Sequence, residues 1–228
     1  MKWIGKKLKK LKLEILFWIM KQKWYQWTMI HVVPFLRFST YYALPSNKEF
    51  QKWGALSRRG YKHLKPGDII LTVDDKKLGS MVIGGATADH TGENDFIPSH
   101  AAQCIGKGDD FEVAEMTHHH YTRSAWEDLC FEATRVVIMR CESFDDAYIN
   151  DVVIPTCLGF KDKKYDLTFS MGIDTLICSE LVYFADKERR LIVNLDPILG
   201  FKPYISPLGL YKAENCFVVW DSEKETNT

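Results

Sequence analysis

Apolar and polar positions recur along this chain with two periods, helical near the N-terminus and strand-like through most of the body. In residues 2–27, Ile4, Leu8, Leu11, Ile15, Trp18 and Ile19 fall on one stripe at about 100° per residue. Lys6, Lys7, Lys9 and Lys10 point away from that stripe and Lys12 sits at its margin, so the pattern predicts a basic amphipathic helix. Pro34 and Pro45 interrupt the segment after it, and residues 47–61 predict a helix ending near Gly60. A Pro66-Gly67-Asp68 turn then feeds the β-branched run Ile69–Val73. Residues 78–88 predict a short helix that breaks at Gly84-Gly85, and residues 89–99 a polar loop.

Strand patterns crowd the next stretch. Residues 100–105 and 111–116, joined by the turn Gly106-Lys107-Gly108-Asp109-Asp110, predict a hairpin. On its second strand Val113 and Glu115 share one side, opposite Glu112 and Ala114. Arg135–Cys141 predicts a further strand, and residues 144–158 read as helical until they meet Pro155. The clearest helix covers residues 174–190, with Asp174 or Thr175 as its cap and the basic stretch 187–190 closing it. Residues 216–220 predict a last strand before a polar tail. The expected class is α+β around an antiparallel sheet.

Composition adds one domain of ordinary globular make-up with an appendage. The chain has 228 residues, 46% hydrophobic and 26% charged, too apolar for intrinsic disorder. Its zero net charge hides an asymmetry: residues 1–30 carry eight Lys and one Glu, whereas the remainder carries 22 basic and 29 acidic residues. The expected organisation is a basic amphipathic helix (1–30), a helical connecting segment (31–60), a main domain (61–220) and a polar tail (221–228). The head suits an anionic membrane surface; the other reading is a helix packed on its own domain with solvated lysines. A cleaved signal peptide fits poorly, because Lys12 and Glu14 interrupt the apolar region and Lys21 and Lys23 follow it. The expected location is cytoplasmic, with the head as an uncleaved peripheral anchor. Nucleic acid is not an expected partner, because the acidic body repels phosphates.

Six cysteines, Cys104, Cys130, Cys141, Cys157, Cys178 and Cys216, sit mostly in apolar stretches without a CxxC pair, which predicts buried thiols rather than disulfides or a zinc site. Cys178 stands near the start of the clearest helix, where the macrodipole and unpaired amides favour a thiolate. His100 opens a strand and is the candidate base, and Glu115 on the partner strand is the candidate orienting group. The run His118-His119-His120 is expected to be solvated or to line the cleft, since adjacent histidines cannot readily converge on one ion. No metal or cofactor is expected. His90 and Glu93 form an unsupported metal pair, and Cys104 is expected to fill structure.

Taken in order, the strings LKPGDIIL, SHAAQCI, FEVAEMT, KKYDLTFS, CSELVY and YISPLGL closely resemble the circularly permuted branch of the NlpC-type papain-like cysteine peptidases. That branch also contains the lecithin retinol acyltransferase-like enzymes. In it the His strand precedes the Cys helix, as His100 precedes Cys178 here. The resemblance covers about residues 61–220 and implies a permuted papain-like fold, an antiparallel sheet packed on a nucleophile-bearing helix. It implies Cys178 as nucleophile, His100 as general base and Glu115 as orienting group. Asp68 of the PGDI string and the Tyr165-Asp166 pair are implied to mark the fold near the cleft. Asp68, Tyr165, Ser99 and Ser179 are therefore expected to line it, Ser179 on a different helix face from Cys178.

Two departures matter. Ala101-Ala102-Gln103-Cys104 is more polar than the aliphatic run usual after the His, and Ile177-Cys178-Ser179-Glu180 lacks the Asn-Cys-x-x-Phe signature of the retinol acyltransferase-like members. The bacterial and viral permuted type is closer. The resemblance implies hydrolysis of amide bonds in cell-wall-type peptides through a Cys178 acyl-enzyme. The alternatives are a lipid acyl hydrolase or acyltransferase at a membrane surface, and an inactive module that binds peptide or lipid.

Overall fold

The computed structural model describes residues 56–73, 96–106, 111–117, 120–166, 171–195 and 204–224. The basic head, the expected helix at 78–88, His90, Glu93, His118 and His119 lie outside the described residues. The strands are β1 (Ile69–Val73), β2 (His100–Cys104), β3 (Glu112–Met116), β4 (Tyr121–Ala125), β5 (Arg135–Cys141), the short β6 (Lys164–Tyr165) and β7 (Thr175–Leu176), and β8 (Cys216–Asp221). The helices are α1 (Trp126–Glu132), α2 (146–159), α3 (Cys178–Ala185) and α4 (Pro207–Tyr211). Six strands form one antiparallel sheet in the order β4-β3-β2-β1-β5-β8, while β6 and β7 pair in parallel. The expected α+β class with an antiparallel sheet is thus what the chain adopts.

Strand alternation divides the sheet into two cores. Ile69, Leu71, Ala101, Ala114, Met116, Val137 and Met139 bury one face with Cys178, Leu181, Val182 and Ala185 of α3. Ile70, Ala102, Val113, Val136 and Ile138 bury the other with Leu56, Leu64, Trp126 and Trp220. Because both faces are covered, the strands read as nearly continuous apolar runs. Residues 56–61 are helical and belong to this second core. Gly60 lies so close to it that a Cβ there would come within 2.5 Å of the Trp126 ring, and Trp126 Nε1 donates to the Ser57 carbonyl at 2.9 Å. The body therefore begins before residue 61. It also ends after residue 220: Asp221 is buried against Arg135 at 2.8 Å, and the Ser222 hydroxyl accepts the Val136 amide at 3.0 Å. A polar tail starting at 221 is corrected accordingly, since an aspartate beside a buried arginine is held by charge.

The Pro66-Gly67-Asp68 turn places β1. Gly67 has φ +86°, which glycine supplies without strain, and Asp68 N–H closes the turn on the Lys65 carbonyl at 3.1 Å. The buried Asp68 carboxylate accepts the Lys65 amide at 2.7 Å and a fork from Arg140, Nε at 2.7 Å and a terminal nitrogen at 2.8 Å. Burial raises the Asp68 pKa while the Arg140 hydrogen bond and charge oppose the rise. Gln103 is buried for the same turn: its Nε2 donates to the carbonyls of Gly67 at 2.7 Å and Asp68 at 3.1 Å. The polar residue that departs from an aliphatic strand thus pairs with the Gly67 carbonyl and adds a second donor to the Asp68 carbonyl, which already takes the Cys104 amide at 2.9 Å.

Two expectations about elements are corrected. Residues 146–159 stay helical through Pro155: Asp146–Tyr148 lead into a π turn, Ile149–Val153, and then Ile154–Gly159. The widened turn, closed by Ile154 N–H on the Ile149 carbonyl, accommodates a proline that lacks an N–H and would crowd the preceding turn. The helix expected at 174–190 is shorter, because Thr175–Leu176 pair with β6 and the helix starts only after Ile177. It ends at Ala185, where the Asp186 carboxylate takes the Leu191 amide at 2.6 Å and turns the chain. β4, α1 and α4 leave no clear mark in the sequence pattern, because their apolar residues are too few and too near a change of element to show a period.

Replacing Arg140 by Met should leave Asp68 buried without its cation and lower unfolding stability by about 3–5 kcal/mol. Urea denaturation checks this, and the double variant Asp68→Asn/Arg140→Met should recover part of the loss.

Candidate active site

Cys178 is the first residue of α3, with Ile177 in extended backbone as its cap. Ile177 has no side-chain acceptor, and the helix start is held instead by Glu180, whose Oε2 accepts the Ile177 N–H at 3.1 Å. The expected cap at Asp174 or Thr175 is therefore corrected. Upstream, the Tyr165–Leu176 pairing delivers the chain to Ile177, and the Asp166 amide bonds the Leu176 carbonyl at 3.0 Å. Downstream, Ser179 Oγ donates to the Ile205 carbonyl at 2.7 Å and fastens the helix to the segment before α4. Cys178 itself is 1% exposed.

His100 is held at the end of an interior strand. Its register partner on β1 is Thr72, and the Ser99 amide bonds the Thr72 carbonyl at 2.9 Å. On β3, Glu115 lies opposite Ala102, two residues along from His100, so carboxylate and imidazole are diagonal neighbours. His100 Nε2 meets Glu115 Oε2 at 2.7 Å, and Ser124 Oγ donates to the other Glu115 oxygen. With Nε2 committed to Glu115, the second ring nitrogen is left for Cys178, which acts on the ring electrostatically. The His100 side chain keeps 22% exposure, so solvent meets the group on the histidine side. Burial of the ring works against its charged form, but Cys178 and then Glu115, each by charge and hydrogen bond, outweigh it and lift His100 to about 10. The carboxylate thus fixes an imidazole whose charge state is tied to the thiol, an arrangement that can hold a thiolate–imidazolium pair or pass a proton from sulfur to nitrogen.

The cleft-lining residues separate into two groups. Tyr165 stays with the site: burial first, and then the charges of Cys178, Glu180 and Asp166, push its phenol well above the ordinary range. Ser99 is buried beside His100 with its hydroxyl turned to the Thr72 carbonyl at 3.4 Å. Asp68 does not line the site. It precedes β1 at the Cys104 end of β2, about 13 Å along the strand from His100 at roughly 3.3 Å per residue. Its charge belongs to Arg140, so it marks the fold and not the cleft. Ser179 is fully buried, and its hydrogen bond to Ile205 makes it a fastening residue. Cys104 fills the second core, and burial pushes its thiol up to about 12. His120 is exposed and bridges Lys164 through its backbone.

Glu180 supports the helix that carries the thiol without being among the residues the sequence singled out. It is buried two residues after the thiol, and burial above all, with Asp166 nearby, pushes its carboxyl up to about 8 despite the Ile177 amide. Oε1 has no hydrogen-bond partner among the described residues. The signal for it is an acidic residue in the first helical turn, but the isoleucine cap hides the usual Ser/Thr-x-x-Glu pattern. Among the described residues, no group of three or more His, Cys, Asp or Glu is placed to hold a metal ion, and no helix is long and apolar enough to cross a membrane.

The His100 ring should remain protonated through pH 8 in NMR titrations. Removing the sulfur in Cys178→Ala, or the charge in Glu115→Gln, takes away a cause of the upward shift, so each variant should lower its midpoint.

No family model matches the chain, and no curated protein matches it. Among solved structures, the metalloprotein YiiX of Escherichia coli O157:H7, described as DUF1105, is similar over 69% of this chain and 97% of its own, at 17% identity and a TM-score of 0.58. At that identity the likeness extends to the fold alone.

Proposed function

We propose that this protein is a thiol hydrolase of the permuted papain-like type that cleaves amide bonds in cell-wall-type peptides. The observation that carries the reading is the series Cys178–His100–Glu115, drawn from the start of a helix and two neighbouring strands. A binding module has no chemical need for a buried thiol joined to an imidazole that is itself fixed by a carboxylate. The chain order, with the histidine strand before the cysteine helix, supports the permuted reading.

In this mechanism the Cys178 thiolate attacks the scissile carbonyl and forms a tetrahedral intermediate. The amides of the first α3 turn lack intrahelical acceptors and are available to the oxyanion. His100 carries the thiol proton and gives it to the leaving amine, and Glu115 keeps the ring in the right tautomer and orientation. Water activated by His100 then releases the acyl group from sulfur. The thiol chemistry as written uses no metal.

Hydrolysis of a panel of cell-wall peptides, followed by mass spectrometry, tests the reading. Cys178→Ala should lose at least about a thousandfold in kcat/KM, with unfolding stability within about 2 kcal/mol of wild type. Iodoacetamide labelling of Cys178 below neutral pH should slow in His100→Ala. Turnover of lipid-like esters without any peptide cleavage would overturn the substrate class, and Cys178 labelling no faster than that of the other cysteines would overturn the thiol mechanism.

A further inference from the structure

All six cysteines are free, yet two of them face each other away from the candidate active site. Cys141 ends β5 and Cys216 begins β8, and they are direct register partners. The pairing depends on a bulge. Ile138 lies opposite Trp220, but Met139 lies opposite Val218, so Val219 is an extra residue in β8 and every later pair is shifted by one. Without that shift Cys141 would face Phe217.

The type of pair also matters. Glu142 N–H bonds the Asn215 carbonyl at 2.9 Å, and Cys216 N–H bonds the Ala213 carbonyl rather than Cys141. Cys141 and Cys216 therefore occupy a non-hydrogen-bonded site of the antiparallel ladder, where Cα atoms are about 4.5 Å apart and side chains closest. That separation lies within the range a disulfide spans. As direct register partners their side chains project from the same side of the sheet. Cys216 is half-buried on the sheet's edge strand and Cys141 is buried behind it.

The surroundings favour ionisation of this pair over the remaining structural thiols. Cys216 first, and then the backbone amide of Ser143, pull Cys141 down to about 7, against burial and the charge of Asp186. Cys216 moves up because its proton is shared with Cys141, with burial and the charges of Glu142 and Asp186 adding to the rise. Burial pushes Cys130 and Cys157 well up, and neither has a thiol partner. Ser143 Oγ, which contacts Cys141 at 3.1 Å, donates to the Arg190 carbonyl and accepts Asn215 Nδ2 at 2.9 Å. The site is thus tied to the turn that follows α3.

We propose that Cys141 and Cys216 form a redox-active dithiol that small-molecule disulfides convert to a cross-strand disulfide. In the first step a thiolate of the pair attacks the reagent RSSR, forming a mixed disulfide and expelling RS⁻. The second cysteine sulfur then attacks the protein sulfur of that mixed disulfide and expels another RS⁻. The two thiol protons end on the released groups, so two cysteines and one RSSR give one protein disulfide and two RSH. The protein loses two electrons and the reagent gains them.

The test uses the full chain carrying Cys178→Ala, so that the candidate nucleophile cannot contribute. The folded protein is treated with oxidised glutathione, capped with N-ethylmaleimide and analysed by intact and peptide mass spectrometry. The expected result is a protein lighter by two hydrogens, with peptides bearing Cys141 and Cys216 linked and the link reversed by dithiothreitol. Cys216→Ser in the same background should abolish the link, and Cys141→Ser should leave a persistent glutathione adduct on Cys216. Two reduced cysteines after treatment, a stable adduct on Cys216 beside an intact Cys141, or a link that forms only in denaturant would each overturn the proposal.

Discussion

A helix beginning at Cys178 lies against a strand beginning at His100, and the burial of α3 on β2 and β3 is the contact to which the other features of the site are subordinate. Leu181, Val182 and Ala185 supply the helix side of that interface, and Ala101 and Ala114 supply small side chains beneath it. Burial of this apolar face, and not helix propensity, holds an eight-residue helix in place. It also fixes which helical turn stands next to the strand end. A sulfur at the first helical position is thereby set near a ring at the first strand position.

Around that contact the molecule spends its polar groups on holding ends. Gln103 and the Asp68–Arg140 fork close the turn that starts β1, which in turn sets the register of β2 through the Thr72–His100 pair. Glu180 holds the start of α3, Ser179 ties the helix to Ile205, and Asp186 terminates it with help from Tyr148. Apart from the half-buried Arg140, each of these side chains is buried, and each satisfies a backbone or charged group that would otherwise be costly inside a core. The polar residues nearest the candidate site are therefore mostly its fastenings. Among the described polar residues, Glu115, with Ser124 behind it, is hydrogen-bonded to the imidazole.

Fold and candidate site are legible in the sequence to different depths. The β-branched run at 69–73, the two hairpin segments and the apolar run at 135–141 announce four of the six sheet strands, because short apolar runs bounded by turn residues are visible in single segments. Strand β8 is legible to within one residue, but β4 is not, since Tyr-Thr-Arg-Ser-Ala carries no apolar alternation. Cys178, His100 and Glu115 are identifiable from chemistry and order along the chain. Asp68 and Ser179 point to the cleft only because they neighbour informative motifs. A sequence motif does not say which end of a strand or which face of a helix is meant.

By itself, then, the sequence determined the class of fold, the sheet's core strands and the three residue types whose chemistry fits a thiol site, because hydrophobic period and side-chain chemistry are local properties. The tertiary structure decided that the three side chains meet, that Asp68 faces Arg140 across the turn, and that a single extra residue in β8 sets Cys216 opposite Cys141. Those are matters of register and packing between segments tens of residues apart. The energy that selects them is shared by both partners, so neither segment reveals it alone.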